Sequence, residues 1–364
     1  MSADPLGSPY TRFVLPPDSS ATAPPESRGL ARDEVKLLVA EPGFVAHQAF
    51  RDLPDFLEPG DLVVVNTSAT MAAAVDARRE DGRTQPLHVA GRLDDGSWLV
   101  ELRRADGKGP SLDAFHGENL VLPGHLRLRM HSAYPDRSVR ASRLWLAAPD
   151  VSGPLAGYLE QHGRPIAYDY LEGSFPLEDY QTVYATEPGS AEMASAGRPF
   201  TADLLVRLMA AGVTVAPVVL HAGVSSPELH EPPLPERFGV PEDTARLVNS
   251  AVWAGKRIVA VGTTVVRALE TVATDRGTVR PDEGWTDLVL GPDRPARVVT
   301  GLISGLHPPE ASHLLLLEAV AGVDLVRRAY AAAVPNGYLW HEFGDSMLFL
   351  PGPRGCGERA TIAA

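Results

Sequence analysis

The hydrophobic period of this chain changes twice, near residues 71 and 150, and no single sheet or bundle accommodates both patterns. Before the first change, "AHQAFRDLPDFLEPGDLVVVN" reads as a short helix, a turn at Pro59-Gly60 and a buried strand from Leu62 to Val65. From about Met71 to Asp150 the polarity alternates every second residue. "SWLVELRR", "HLRLRMH" and "VRASRLWLA" are separated by the turn signals "DDG", "ADGKGP" and "YPDRS". That texture predicts a small antiparallel β unit. Beyond Gly153, helix and strand patterns alternate through "TADLLVRLMAAG", "VTVAPVVLH", "PEDTARLVNSAVWAG", "KRIVAVG" and "TVVRALETVA". Such alternation implies a mainly parallel sheet with flanking helices. The expected fold is therefore an α/β main domain (31–71 and 151–350) interrupted by an antiparallel β-barrel-like insertion (72–150). Residues 1–30, rich in Pro and Ser, are expected to be flexible, and 351–364 form a tail.

Charge divides unevenly between these parts. The chain carries a net charge of −13, which disfavours nonspecific binding of nucleic acid. The 72–150 segment holds 12 basic and 11 acidic residues, whereas the remainder has a net charge of −14. A polyanion would therefore meet the insertion first, through Arg103, Arg104, Arg127, Arg129, Arg137, Arg140 and Arg143, unless these are solvated strand faces. Lys36, Lys108 and Lys256 are the only lysines. A single cysteine, Cys356, rules out an intramolecular disulfide and a Cys-based zinc site. With no signal-peptide pattern and no run of apolar residues long enough for a membrane span, the expected compartment is the cytoplasm.

Several short stretches carry chemistry. In "RIVAVGTTVVRALET" a strand turns into a helix at Gly262-Thr263-Thr264. No G-x-G-x-x-G or P-loop pattern accompanies it. Free N–H groups at such a helix start suit a carboxylate or a phosphate, and Arg267 can supply a bidentate fork to the same anion. The competing reading is a Thr-capped helix in which Arg267 pairs with Glu270 three residues on. "GWTDLVLGP" places Trp285 beside Thr286 and Asp287, an indole and a carboxylate suited to a ligand cation or, equally, to core packing with a capping Asp. His221 closes an apolar strand and His307 precedes an apolar helix containing Glu318; "HEFGDSM" adds Asp345. The eleven histidines show no metal-ligand spacing, and "LISGL" is no nucleophile elbow.

Taken in order, "YQTVYATEPGSAE", "AVGTTVVRALE", "GWTDLVLGP", "LHPPEASHLLLLEAVAG" and "FGDSM" resemble the S-adenosylmethionine:tRNA ribosyltransferase-isomerases of queuosine biosynthesis. The resemblance spans most of the chain and itself implies an α/β domain with an inserted β-barrel. It implies S-adenosylmethionine as a ribosyl donor, no further cofactor and no metal. The ribose passes to 7-aminomethyl-7-deazaguanine in tRNA and becomes an epoxycyclopentane, while adenine and methionine leave. The sulfonium acidifies the C5′ protons, so the site needs a base, a proton donor for adenine and a dry pocket for the methionine tail. On this resemblance Gly262, Thr263, Thr264 and Arg267 grip the donor, and Trp285, Thr286 and Asp287 face its sulfonium or adenine. Tyr180 and Gln181 also contact substrate. His221, His307, Glu270 and Asp345 are the candidates for proton handling.

The chain departs from the family pattern at four places. Gly-Leu-His-Phe-Thr reads Gly197-Arg198-Pro199-Phe200-Thr201, so a histidine is lost, with Arg198, His230 or Glu231 as candidate substitutes. Asn-Asp-Thr-Arg reads Asn66-Thr67-Ser68-Ala69. A His-x-Met-His-x-Glu segment is missing after "LHAG", and Gly305 replaces a loop asparagine. These mark a divergent member whose acceptor is tRNA or a small molecule; a non-catalytic S-adenosylmethionine-binding protein is the third reading. Monomer and homodimer both fit.

Overall fold

The computed structural model describes residues 7–139, 141–150, 153–224, 234–309 and 311–352. Chain order begins with a hairpin, β1 (Lys36–Glu41) and β2 (Phe44–Ala49). The expected helix that follows is a 3-10 turn, Phe50–Phe56, because Pro54 inside it has no N–H to continue an α-helical ladder. β3 (Leu62–Asn66) is buried at every position and a short β4 (Ser68–Thr70) leaves the sheet. Six antiparallel strands then close a barrel: β5 (Ala74–Arg78), β6 (Thr84–Arg92), β7 (Trp98–Leu102), β8 (Asn119–Val121), β9 (Arg127–Tyr134) and β10 (Leu144–Pro149). Closure pairs the edge strands that an open sheet of this size would expose. Helix α1 (Leu155–His162) adds Leu155 and Leu159 to the barrel core, and Gly163 then passes against the Ala72 carbonyl, where a Cβ would lie 1.9 Å away.

The chain returns through β11 (Glu187–Ser190), which pairs in parallel with β4. There follow α2 (Ala202–Ala210), β12 (Thr214–Leu220), β13 (Glu236–Val240), α3 (Glu242–Trp253), β14 (Ile258–Val261), α4 (Thr263–Thr271), β15 (Asp282–Thr286), β16 (Gly301–Gly305), α5 (Ser312–Ala321), α6 (Val323–Ala333) and β17 (Ser346–Phe349). The main sheet has nine strands in the order β15-β13-β12-β3-β14-β16-β17-β1-β2. Its centre, β12-β3-β14-β16, is parallel, as helix-strand alternation requires. Antiparallel pairing enters at β13 and β15, at β16–β17 and at the β1–β2 hairpin, so the sheet as a whole is mixed. Successive residues serve opposite layers: Leu62 and Val64 pack under α3 to α6, Val63 and Val65 under α2 and the 3-10 turn. Among the described residues no helix is long and apolar enough to cross a membrane.

The N-terminal segment corrects the expectation of flexibility. From Pro9 onward it is strapped across the main sheet's helices. The backbone N–H groups of Tyr10 and Thr11 donate to the buried Glu318 carboxylate at 3.2 and 2.7 Å. Phe13 packs on Tyr330, Ala21 N–H donates to the Trp340 carbonyl, and Trp340 N–H donates to the Ser19 carbonyl. A buried carboxylate without these donors would be costly, so strap and helix need each other.

The insertion's arginines are also largely spoken for. Arg103 and Arg143 are buried and share Glu101 at 2.6 and 2.5 Å, and Arg104 pairs with Asp106. Arg127 and Arg129 do face outward from β9, Arg137 is exposed, and Arg140 lies outside the described residues. On β6, between Leu87 and Val89 of the barrel core, His88 lines the cleft; it is only 5% exposed, and burial, with Arg103 and Arg164 nearby, pushes its pKa down to about 3. The folded chain therefore holds His88 neutral while the unfolded chain protonates near 6.5. Its contribution is complete above pH 6.5 and is lost as pH falls toward 3. Urea unfolding between pH 6 and 4 should show a slope about 1.4 kcal/mol per pH unit shallower in His88→Leu than in the wild type.

Candidate functional site

β3 is the point where the sheet's order reverses: the chain runs from β3 to β12 on one side and later to β14 on the other. In open α/β sheets ligands bind in the crevice beyond the carboxyl ends of such strands. Asn66 stands there. Its amide nitrogen donates to the Leu220 carbonyl at 2.8 Å and reaches Thr264 Oγ1 at 3.4 Å, while its oxygen accepts from the N–H groups of Leu220 and Ser68. One side chain thus ties β3, β12 and the start of α4. Beside it, Ser68 Oγ bonds both Ser190 Oγ at 2.6 Å and His221 Nδ1 at 2.7 Å. Burial, aided by Arg237, lowers the His221 pKa, which favours the neutral ring. A Cβ on Gly189 would lie 2.3 Å from His221 Nδ1, so only glycine lets the imidazole rest on this backbone.

Gly262 turns the chain from β14 into α4 at φ +93, a conformation that glycine alone adopts without strain. No side chain caps α4. The expected threonine cap is therefore corrected, since Thr264 Oγ1 turns toward Asn66 instead. The helix start faces Ala196, and Gly305 lies near Ser195 Oγ, so α4, β16 and the 3-10 turn Ser195–Gly197 converge with their positive helix end inward.

A second set of groups lines the cleft between barrel and sheet. Tyr168 donates its hydroxyl to Glu192 and Tyr170 to Glu342; the two rings stack at 5.8 Å, and Tyr170 stacks on His341 at 4.2 Å. His341 has φ +73, a left-handed backbone rare outside glycine, and this turn sets Glu342 toward the cleft. Burial, with Glu192 adding repulsion, pushes the Glu342 pKa up to about 7. Burial also raises Glu236, with Glu192 adding repulsion, but Glu236 is paired with Arg267, so the acidic wall of the cleft is Glu192 and Glu342. Sequence reading missed Tyr168, Tyr170, Glu192, His341 and Glu342. Glu192 and Glu342 lay inside or beside quoted motifs, "GSAE" and "HEFGDSM", and their meeting across 150 residues left no local signal.

Several expected ligand contacts prove internal. Arg267 is buried: Nη1 pairs with Glu236, Nε donates to the Leu288 carbonyl, and Nη2 donates to the carbonyls of Leu234 and Thr286. Its partner is not Glu270, whose carboxylate instead accepts three N–H groups of the loop Arg297–Val299 at 2.7 to 2.9 Å. Asp345 likewise accepts from the N–H groups of Lys36 and Leu339, although burial raises its pKa. Both acids fasten backbone. Trp285 points its Nε1–H at Asp94 of the barrel rather than toward Asp287, which is exposed; Thr286 is buried against Thr271. Arg198 Nε donates to Asp179, and its guanidinium lies 2.9 Å from Glu26 and over the Phe343 ring. Gln181 clamps Thr70 through both N–H and carbonyl. Tyr180 is buried yet lines the cleft. His307 bonds Ser304 at 2.9 Å and stacks on His313, and burial holds its pKa well below the usual value. His230 and Glu231 lie outside the described residues.

Residues 9–349 match the family described as queuosine biosynthesis protein. The chain belongs to that family. A relative from Symbiobacterium thermophilum named S-adenosylmethionine:tRNA ribosyltransferase-isomerase is 36% identical over 350 residues, covering 93% of this chain and 98% of its own. Its namesake in Thermus thermophilus is 35% identical over 346 residues with the same coverage. Among solved structures, the S-adenosylmethionine tRNA ribosyltransferase of Thermotoga maritima matches with a TM-score of 0.50 and 28% identity, over 92% of this chain and 98% of that one.

Within this family member, Arg267 is the anchor of the β13–β15 edge rather than a free anion fork. Arg267→Ala should lower stability by about 3 kcal/mol, because Glu236 is left buried and uncompensated. An unchanged urea midpoint would return Arg267 to the ligand shell.

Proposed function

We propose that this protein transfers and isomerises the ribosyl group of S-adenosylmethionine onto an amine acceptor, with release of adenine and methionine. The family default for the acceptor is 7-aminomethyl-7-deazaguanine in tRNA, giving epoxyqueuosine, and the setting is the cytoplasm. The observation that carries this reading is end-to-end similarity to relatives bearing that name, 36% identical over 93% of the chain. The geometry agrees with the chemistry in three respects. The neutral His221 imidazole, oriented through Nδ1 by Ser68, is the base for the C5′ proton beside the sulfonium. The uncapped start of α4 offers the backbone N–H groups of Thr263 and Thr264 to the donor's carboxylate, while the N–H of Gly262 donates to the Ile303 carbonyl and fixes the turn. The acidic wall of Glu192 and Glu342 favours a cationic sulfonium over its neutral products.

In this reading the main domain (31–71 and 151–350) binds the donor, and the barrel (72–150) meets the acceptor through the outward Arg127 and Arg129. A small-molecule acceptor is the second reading, favoured by the internal pairing of Arg103, Arg104 and Arg143. Mass spectrometry of S-adenosylmethionine incubated with the purified protein separates them. Adenine and methionine should appear in equal amounts when tRNA carrying the deazaguanine base is added. Release with the free base but not the tRNA selects the small-molecule acceptor. No release under any condition overturns the proposal.

A further inference from the structure

Tyr180 is 4% exposed and its hydroxyl has no hydrogen-bond partner among the described residues. It lines two spaces in the cleft. One is a niche of about 10 Å³ that it shares with Glu342, Glu192, Tyr168, Thr70 and Met193. The other is a chamber of about 220 Å³ reaching Phe175, Pro86, His88 and Arg164. A buried hydroxyl left unpaired costs roughly 1–3 kcal/mol, so such groups ordinarily have a partner. Glu342 feels Tyr180 across the niche and the pair disfavours ionisation of the phenol, yet the two are not bonded to each other. Besides Tyr170, no group among the described residues donates to the Glu342 carboxylate from a side chain, and no cation there pairs with it. Two acceptors thus face a space of roughly one water or one ammonium, walled by tyrosine rings.

The geometry points to the niche between Glu342 and Tyr180 as a subsite for a primary ammonium group, with Tyr180 also lining the larger chamber beside it. An –NH₃⁺ has three donors: one for the Glu342 carboxylate, one for the Tyr180 oxygen, and a third for the Thr70–Met193 rim. The flanking aromatic faces add cation–π attraction, and the carboxylate makes the contact charge-assisted. The elevated Glu342 pKa fits an acid awaiting a cation. Glu342 therefore selects for an amine. This assignment rests on the proposed function only for the identity of the amine, which belongs either to the donor's amino-acid tail or to the acceptor's side arm.

The test uses the full chain and isothermal titration of four probes. These are S-adenosylmethionine, its analogue lacking the α-amino group, 7-aminomethyl-7-deazaguanine, and the 7-methyl base. Glu342→Gln should weaken one amine-bearing probe about tenfold or more and leave its amine-free partner within twofold. Loss confined to the first pair assigns the subsite to the donor, and loss confined to the second assigns it to the acceptor. If the glutamine variant fails to fold by circular dichroism, Tyr180→Phe, which removes only an unpartnered hydroxyl, should show the same selective loss. Retention of both amine probes within twofold overturns the subsite and leaves the niche to a bound water. Should the wild type bind neither donor nor base, the proposed function falls separately. n-Butylammonium against n-butanol, by saturation-transfer NMR, then decides the subsite: a signal lost on Glu342→Gln supports it, and no signal or an unchanged one overturns it.

Discussion

Everything in the cleft depends on how the backbone satisfies itself where it leaves the sheet for the barrel. Thr67 to Met71 run through a buried crossing where water cannot replace a missing partner. Thr67 N–H donates to Val218, and its carbonyl accepts from Thr186 and Glu187. Thr70 gives its N–H and carbonyl to Gln181, Met71 N–H donates to Ser190, and Ala74 and Arg164 exchange two bonds as the chain comes back. The outgoing and returning segments thereby become one ribbon, β4 with β11. Ser190 and Glu192, on and just past β11, inherit their positions from it. So does His221, held through Ser68. A shift of the ribbon would move the base and the acidic wall together.

The second constraint is electrostatic. Arginines in this acidic chain are largely consumed by structure: Arg79 with Glu118, Arg103 and Arg143 with Glu101, and Arg267 with Glu236. Such buried pairs add little net stability, since desolvation offsets attraction, but losing one partner is costly. What this leaves in the niche beside Tyr180 is a pair of acids, Glu192 and Glu342, whose mutual repulsion adds to burial in raising the Glu342 pKa. A low-dielectric crevice with that pair concentrates cations. A sulfonium donor and an amine acceptor are both cationic, and the neutral leaving groups are not held by the same field.

Architecture was readable in the sequence because it rests on local periodicity. The unbroken apolar run of β3 and the alternation of Arg127, Leu128, Arg129 and Met130 on β9 each declare an environment within a few residues. The expected pairing of Arg267 with Glu270 failed for the opposite reason. Three-residue spacing on a helix permits that contact, but Glu236 from a neighbouring strand and the loop N–H groups at 297–299 competed for each partner and won. The proline-rich N-terminus looked mobile by composition, and only the buried Glu318, hundreds of residues away, reveals what it binds. The Tyr168–Glu192 and Tyr170–Glu342 contacts were illegible for the same reason, being products of the return from the barrel.

The departures from the family pattern acquire a physical meaning in this setting. Ser68 stands where the pattern has a larger polar residue, and it is 3% exposed between Ser190 and His221. A small hydroxyl is what fits between two such neighbours while bonding both. Arg198 brings a cation next to buried Pro199, but Glu26 of the N-terminal strap and the Asp179 carbonyl take it up, so it does not restore the lost histidine's freedom to exchange a proton. Under the proposed function, proton handling would fall to groups outside that motif. His221 is held neutral by burial, and Glu342, half-buried in the cleft, titrates near the working pH. Their separate elements, β12's end and the turn before β17, lie far apart in sequence, which makes the chemistry of this site a property of the assembled fold rather than of any one motif.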